Sequence, residues 1–165
     1  MKSKQFTTIF LSAFFLMSSV VYADWSLTLH AKGQNKDGLH KASVTIGEGN
    51  QLVAEPAPPR APVFSCAMEI ISNDWESRFS KYVTDTMDVY TNEWVVAINP
   101  SGNANQFEEA TTQINWDASH LGEGIFEIRQ GFNGDGDVIV DNMKTTDGFS
   151  VTGQNEDYFF TIIKK

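Results

Sequence analysis

The chain has 165 residues, 41% of them hydrophobic and 20% charged, with a single cysteine and a formal net charge of −9. That composition excludes a disordered, collagenous or disulfide-stapled protein, and the length suits one compact core. The acidic balance argues against nucleic acid and anionic membrane surfaces as partners, because affinity for both comes mainly from clustered Lys and Arg.

Residues 1–23 read as an export signal. Lys2 and Lys4 precede an apolar stretch that opens at Ile9 and is interrupted by Ser12, Ser18 and Ser19. It ends at Val21-Tyr22-Ala23, where the small Ala23 suits signal-peptidase cleavage before Asp24. The stretch is shorter than the roughly 20 apolar residues of a spanning helix. Cys66, far downstream, offers no lipid attachment beside it. The expectation is a secreted or periplasmic protein, with residues 24–165 as one domain and no membrane span after cleavage.

The rest of the chain is dominated by short segments of period 2. Trp25, Leu27, Leu29 and Ala31 share one face of a first strand, and Ala42–Ile46 forms a second. Four prolines between Glu55 and Pro62 predict a stiff strap crossing between sheets; a docking segment for a polyproline-binding partner is the alternative. Val63–Ile71 is a third β-prone run, within which Cys66 is expected as a small buried hydrophobe.

Tyr82–Val89 alternates, and Trp94–Ile98 is apolar on both faces, as a central strand would be. Thr112–Trp116, Ile125–Ile128, Val138–Val140, Phe149–Val151 and Tyr158–Ile163 follow. Only 74–81 and 107–111 offer a helical turn, without an apolar stripe at 3.6 spacing. Roughly ten strands set about 10–15 residues apart predict an all-β fold, a single antiparallel β-sandwich.

The order of landmarks resembles the immunoglobulin-like β-sandwich modules of exported bacterial proteins. The landmarks are the Trp25-x-Leu-x-Leu strand, the proline strap, Glu93-Trp94-Val95-Val96, Ile114-Asn115-Trp116-Asp117 and the closing Tyr158–Ile162. Val140-Asp141-Asn142-Met143 and Phe149-Ser150-Val151 complete the series. The resemblance implies an immunoglobulin-like fold and a binding, adhesion or spacer role. It transfers no catalytic residue.

The sharpest local chemistry is Asn133-Gly134-Asp135-Gly136-Asp137. Asn133, Asp135 and Asp137 match positions three, five and seven of a calcium loop. Gly131 at position one and Asn142 at position twelve lack the carboxylates of that template. The competing reading is a glycine-rich hairpin turn that requires positive φ at Gly134 and Gly136. The turn is the favoured reading, so no cofactor is expected and calcium is the alternative.

Trp94 and Trp116 lie in the most apolar strands and are expected in the core, with Trp25 covering an edge. Trp75, in the polar stretch Asn73–Ser77, is the candidate platform for a sugar ring. His30, His40 and His120 are not at metal-ligand spacing, and no HExxH, CxxC or GxSxG element occurs. Glu108 and Glu109 are adjacent, so on a strand they face opposite ways and form no catalytic pair.

These features predict an exported, non-catalytic binding or interaction module whose partner is a protein or a polysaccharide. A carbohydrate- or calcium-binding module is the alternative. A hydrolase with a site scattered in sequence ranks third: no catalytic motif occurs, although a triad is recognised by geometry and needs none.

Overall fold

The computed structural model describes residues 24–35, 38–60, 66–71, 76–85, 92–100, 109–154 and 156–165. Residues 1–23, read above as an export signal, lie outside them. Among the described residues there are eleven strands: β1 (Trp25–Asn35), β2 (Gly38–Gly49), β3 (Val53–Pro56), β4 (Ala67–Ile71), β5 (Arg78–Asp85) and β6 (Glu93–Asn99) come first. Next are β7 (Ala110–Asn115), a 3-10 turn at Ala118–His120, β8 (Phe126–Gln130), β9 (Val138–Val140), β10 (Gly148–Gly153) and β11 (Tyr158–Lys164).

The all-β expectation holds, but the antiparallel immunoglobulin-like sandwich does not. One continuous hydrogen-bonded path runs β10-β7-β1-β2-β5-β4-β6-β11-β8-β9, with β3 added on β5. A sandwich keeps two separately bonded sheets. Here the strands that would form two sheets are joined by a parallel pairing of Thr45–Gly49 on β2 with Lys81–Asp85 on β5. The single mixed sheet therefore curls into a nearly closed barrel. Sandwiches and barrels share the same alternating sequence pattern, and the long-range bond that separates them leaves no periodic signal.

Alternate side chains from every part of this path meet in one core. Leu27 and Leu29 of β1, Ile98 of β6, Ile128 of β8 and Phe160 of β11 are all fully buried within it. Each such side chain contributes roughly 1.5–3 kcal/mol when removed from water. Trp94 and Trp116 are buried, as expected. Trp25 belongs to the same core and does not cover an edge: its ring stands edge-on to Trp94 at 5.4 Å and to Phe126 at 4.9 Å.

The gap between β9 and β10 is bridged by 141–147. The Trp116 indole donates to the Met143 carbonyl at 2.9 Å, and Met143 N–H donates to Phe126 at 2.8 Å. Met143 is fully buried there.

Both suspected helical stretches overlap strands instead, 78–81 in β5 and 110–111 in β7. The proline segment begins as a strand: Val53–Pro56 pairs with β5, and Pro56 closes it with a register shift. Beyond it, Ala57 N–H donates to Arg78 at 2.9 Å. Arg60 then ties the strap down through Glu69 at 2.8 Å and Asp157 at 2.7 Å.

Candidate binding face

Strands β10, β7, β1 and β2 lie side by side, and their register aligns the outward side chains in rows. His30 pairs with Ser43 on one side and Asn115 on the other; Asn115 in turn faces Gly148. In the next row Lys41, Lys32, Gln113 and Ser150 stand in line. A third row runs Leu39, Gln34, Thr111 and Thr152. Inward neighbours such as Ala31, Ile114 and Val151 are buried, whereas His30, Lys32, Lys41, Gln113 and Ser150 are exposed.

Hydroxyl and amide groups link the strands across this surface. Thr28 and Thr45 hydroxyls approach at 2.9 Å, Thr111 and Thr152 at 2.9 Å, and Ser150 donates to Gln113 at 3.0 Å. Each remains able to serve a ligand, because a hydroxyl carries one donor and two acceptor sites and an amide has both kinds. No outward residue of the four strands described is acidic. Lys32 and Lys41 are directly opposed in an antiparallel pair, where like charges destabilise.

A groove of about 530 Å³ borders this face where the first half of β2 stands apart from β5. Lys41 and Ser43 form one wall, Pro58 and Pro59 of the strap another, and Met68 and Ser80 contribute further lining. Glu69 also lines it, but its carboxylate already holds Arg60 and Arg78.

Other charges close the structure. Arg60's guanidinium is held above its ordinary pKa by hydrogen bonds to Glu69 and Asp157, against the opposing effect of burial. At one barrel end the Glu48 carboxylate accepts from the Trp25 indole and from the Lys164 ammonium. Glu127 is held below the usual carboxylate range by hydrogen bonds from Lys165 and Arg129. Burial raises the Cys66 thiol, and a side chain at Gly33 would come within 3.2 Å of its Cβ. Cys66 is thus the small buried residue expected, not an activated thiol.

The sequence-derived candidates fall in different places. Trp75 lies outside the described residues. Asn133, Asp135 and Asp137 are exposed in the loop between β8 and β9. In that loop the Gly131 carbonyl accepts from Thr161 at 2.9 Å, that of Gly136 from Arg129 at 3.3 Å, and that of Asp137 from Gln130 at 2.9 Å. Among the described residues no three His, Cys, Asp or Glu side chains converge as a metal site requires. His30 is on the polar face, His40 is half-buried on β2, and His120 is exposed at the 3-10 turn.

Sequence reasoning passed over Lys32 and Lys41. The signal was there: Asp37-Gly38 is hairpin chemistry, and pairing Asn35 with Gly38 places Lys32 opposite Lys41.

No family model matches this chain, and neither a curated protein nor a solved structure matches it.

Proposed function

We propose that this protein is an exported, non-catalytic binding module that meets its partner on the outer face of β10, β7, β1 and β2. The observation that carries the reading is the contrast between the inside and the outside of the barrel. The interior is filled by packed Trp, Phe, Leu and Ile side chains, as in small barrels whose side chains fill the bore. The outside of these four strands carries a regular array of exposed hydroxyls and amides, aligned in rows across the strands. Rows of paired donors and acceptors on a rigid sheet favour recognition without reorganisation.

Affinity capture from the native envelope or medium, with protein and polysaccharide ligands scored together, tests the reading. Gln113→Ala with Ser150→Ala should lose the captured partner while melting as wild type, since both side chains are exposed. Retention of the partner by that variant would place binding elsewhere. The export component is tested separately, by N-terminal sequencing: the exported form should begin at Asp24, and an intact Met1 chain in the membrane fraction would overturn it.

A further inference from the structure

We propose that the face centred on Lys32 and Lys41 binds a linear, carboxylate-bearing polysaccharide, and that the groove between β2 and the proline strap seats one of its sugar units. The proposal rests on the binding-face reading and adds to it the charge and class of the ligand.

Charge placement is the first argument. Arg60, Arg78, Lys81, Arg129, Lys164 and Lys165 each hold a carboxylate. Lys144 lies over the Phe126 ring at 5.7 Å, whereas Lys32 and Lys41 make no such contact among the described residues, although the chain carries 21 acidic residues. They are placed directly opposite each other, and their repulsion costs stability in the absence of a counter-charge. A carboxylate arriving between them relieves that repulsion and gains charge-assisted hydrogen bonds from both ammonium groups.

The surroundings select the rest of the ligand. Gln113 and Ser150 continue the lysine row, so an anionic group on the lysines sits beside neutral donors and acceptors suited to sugar hydroxyls. Lys41 also forms part of the groove, whose volume of about 530 Å³ lies within the roughly 300–1,000 Å³ of small-ligand sites. Pro58, Pro59 and Met68 supply apolar surface for the C–H side of a pyranose. A nucleic acid brings far denser charge, which a chain of net charge −9 repels as a whole. A uronate polymer is anionic as well, but each unit also brings hydroxyls that suit the neutral donors and acceptors beside the lysines.

The test measures binding of the protein to polygalacturonate, to its fully methyl-esterified form and to polyphosphate. The acid polymer should bind with an affinity that falls as salt rises. Esterification, or Lys32→Gln with Lys41→Gln, should weaken binding about tenfold. The double variant should melt no lower than wild type, because a repulsion has been removed and no packing lost.

Equal binding of acid and ester forms, undiminished binding by the double variant, or no binding of the acid polymer would each overturn the proposal. So would a preference for polyphosphate, or a concentration-dependent dimer that the double variant abolishes. The Gln113→Ala/Ser150→Ala variant separates the two levels. Loss of a neutral or protein partner in that variant keeps the face as a binding surface after the anionic ligand has failed. Retention of every partner removes the face itself.

Discussion

Trp25 donates its indole N–H to the Glu48 carboxylate at 2.9 Å, and the two residues are directly opposed on the β1–β2 hairpin. Both point inward, so a carboxylate stands at the end of an apolar bore. Lys164 of β11 reaches the same oxygen from the other side of the barrel. A side chain at Gly122 would fall 2.4 Å from the Trp25 ring, so this close approach needs glycine. One end of the barrel is thus closed by a buried acid that links the first two strands to the last.

Glu48→Ala should therefore be costly. It removes the acceptor of two donors and leaves the Lys164 ammonium, only 21% exposed, without its partner. The expected loss in urea unfolding is about 2–4 kcal/mol, as for breaking half of a buried pair. Glu48→Leu with Lys164→Met should recover most of it, since no charge is then left buried. A single-variant loss below about 1 kcal/mol would show that water screens the pair.

Trp94 makes a second expectation because its indole nitrogen is buried with no hydrogen-bond partner among the described residues. Trp94→Ala should cost about 3–5 kcal/mol, the range for a large aromatic cavity. Trp94→Phe should cost less than about 1.5 kcal/mol, because the lost ring area is offset by removing a desolvated donor. Chemical denaturation of both variants measures the difference. Equal losses would mean that the N–H has an acceptor in solution.

The strands that stood out in the sequence were those whose alternation meets the core directly. Trp25 to Ala31, Trp94 to Ile98 and Tyr158 to Ile163 are of this kind. The ends of β2 were silent, because Gly38–Lys41 is held by pairing with β1 and Gly47–Gly49 by pairing with β5, and not by an apolar stripe. β3 was hidden by Pro56, which is tolerated since the strand pairs with β5 alone. In β5, Phe79 and Tyr82 stand three apart, a helical spacing that pairing with β2, β3 and β4 overrides. Closure depended on the β2–β5 bond, where Thr45 pairs with Lys81 about one fifth of the chain further on, and no local pattern carries that. The exposed side of the candidate face was readable as polar. Its charge became visible only when the hairpin register put Lys32 beside Lys41.

The strap network predicts how stability responds to acid. Burial alone would raise the Asp157 carboxyl, but the Arg60 hydrogen bonds and the charges of Arg60 and Arg78 hold it below its ordinary value. In the unfolded chain it titrates near about 3.9. Between those two values the unfolded chain binds more protons, so stability is present above the unfolded pKa and lost as pH falls through the folded one. Wild type should lose melting temperature as pH falls below about 5, down through the lowered folded value of Asp157. Asp157→Asn should melt lower at neutral pH and depend less on pH in that window, with a residual slope from Glu127 and Asp117, which are also held low. An unchanged slope would show that the Arg60 contact does not form in solution.

The loop between β8 and β9 carries the last prediction. Gly131 and Gly134 have φ of 86° and 67°, so both need glycine. Gly136 needs it for a different reason than positive φ: a Cβ there would lie 2.0 Å from the Gln130 carbonyl oxygen. Gly136→Ala should thus push apart the turn that Gln130 N–H closes on the Asp137 carbonyl, and cost about 1–3 kcal/mol. Hydrogen bonds from Gln130, Arg129 and Thr161 engage the carbonyls of Asp137, Gly136 and Gly131 in this loop. Melting with chelator and with millimolar calcium should accordingly agree, for wild type and for Asp135→Asn/Asp137→Asn alike. A ligand that binds only the folded state raises stability with the logarithm of its concentration over its dissociation constant. A calcium-dependent rise of several degrees, lost in the double variant, would establish Asn133, Asp135 and Asp137 as a cation site and reverse the assignment of this loop as a self-sufficient turn.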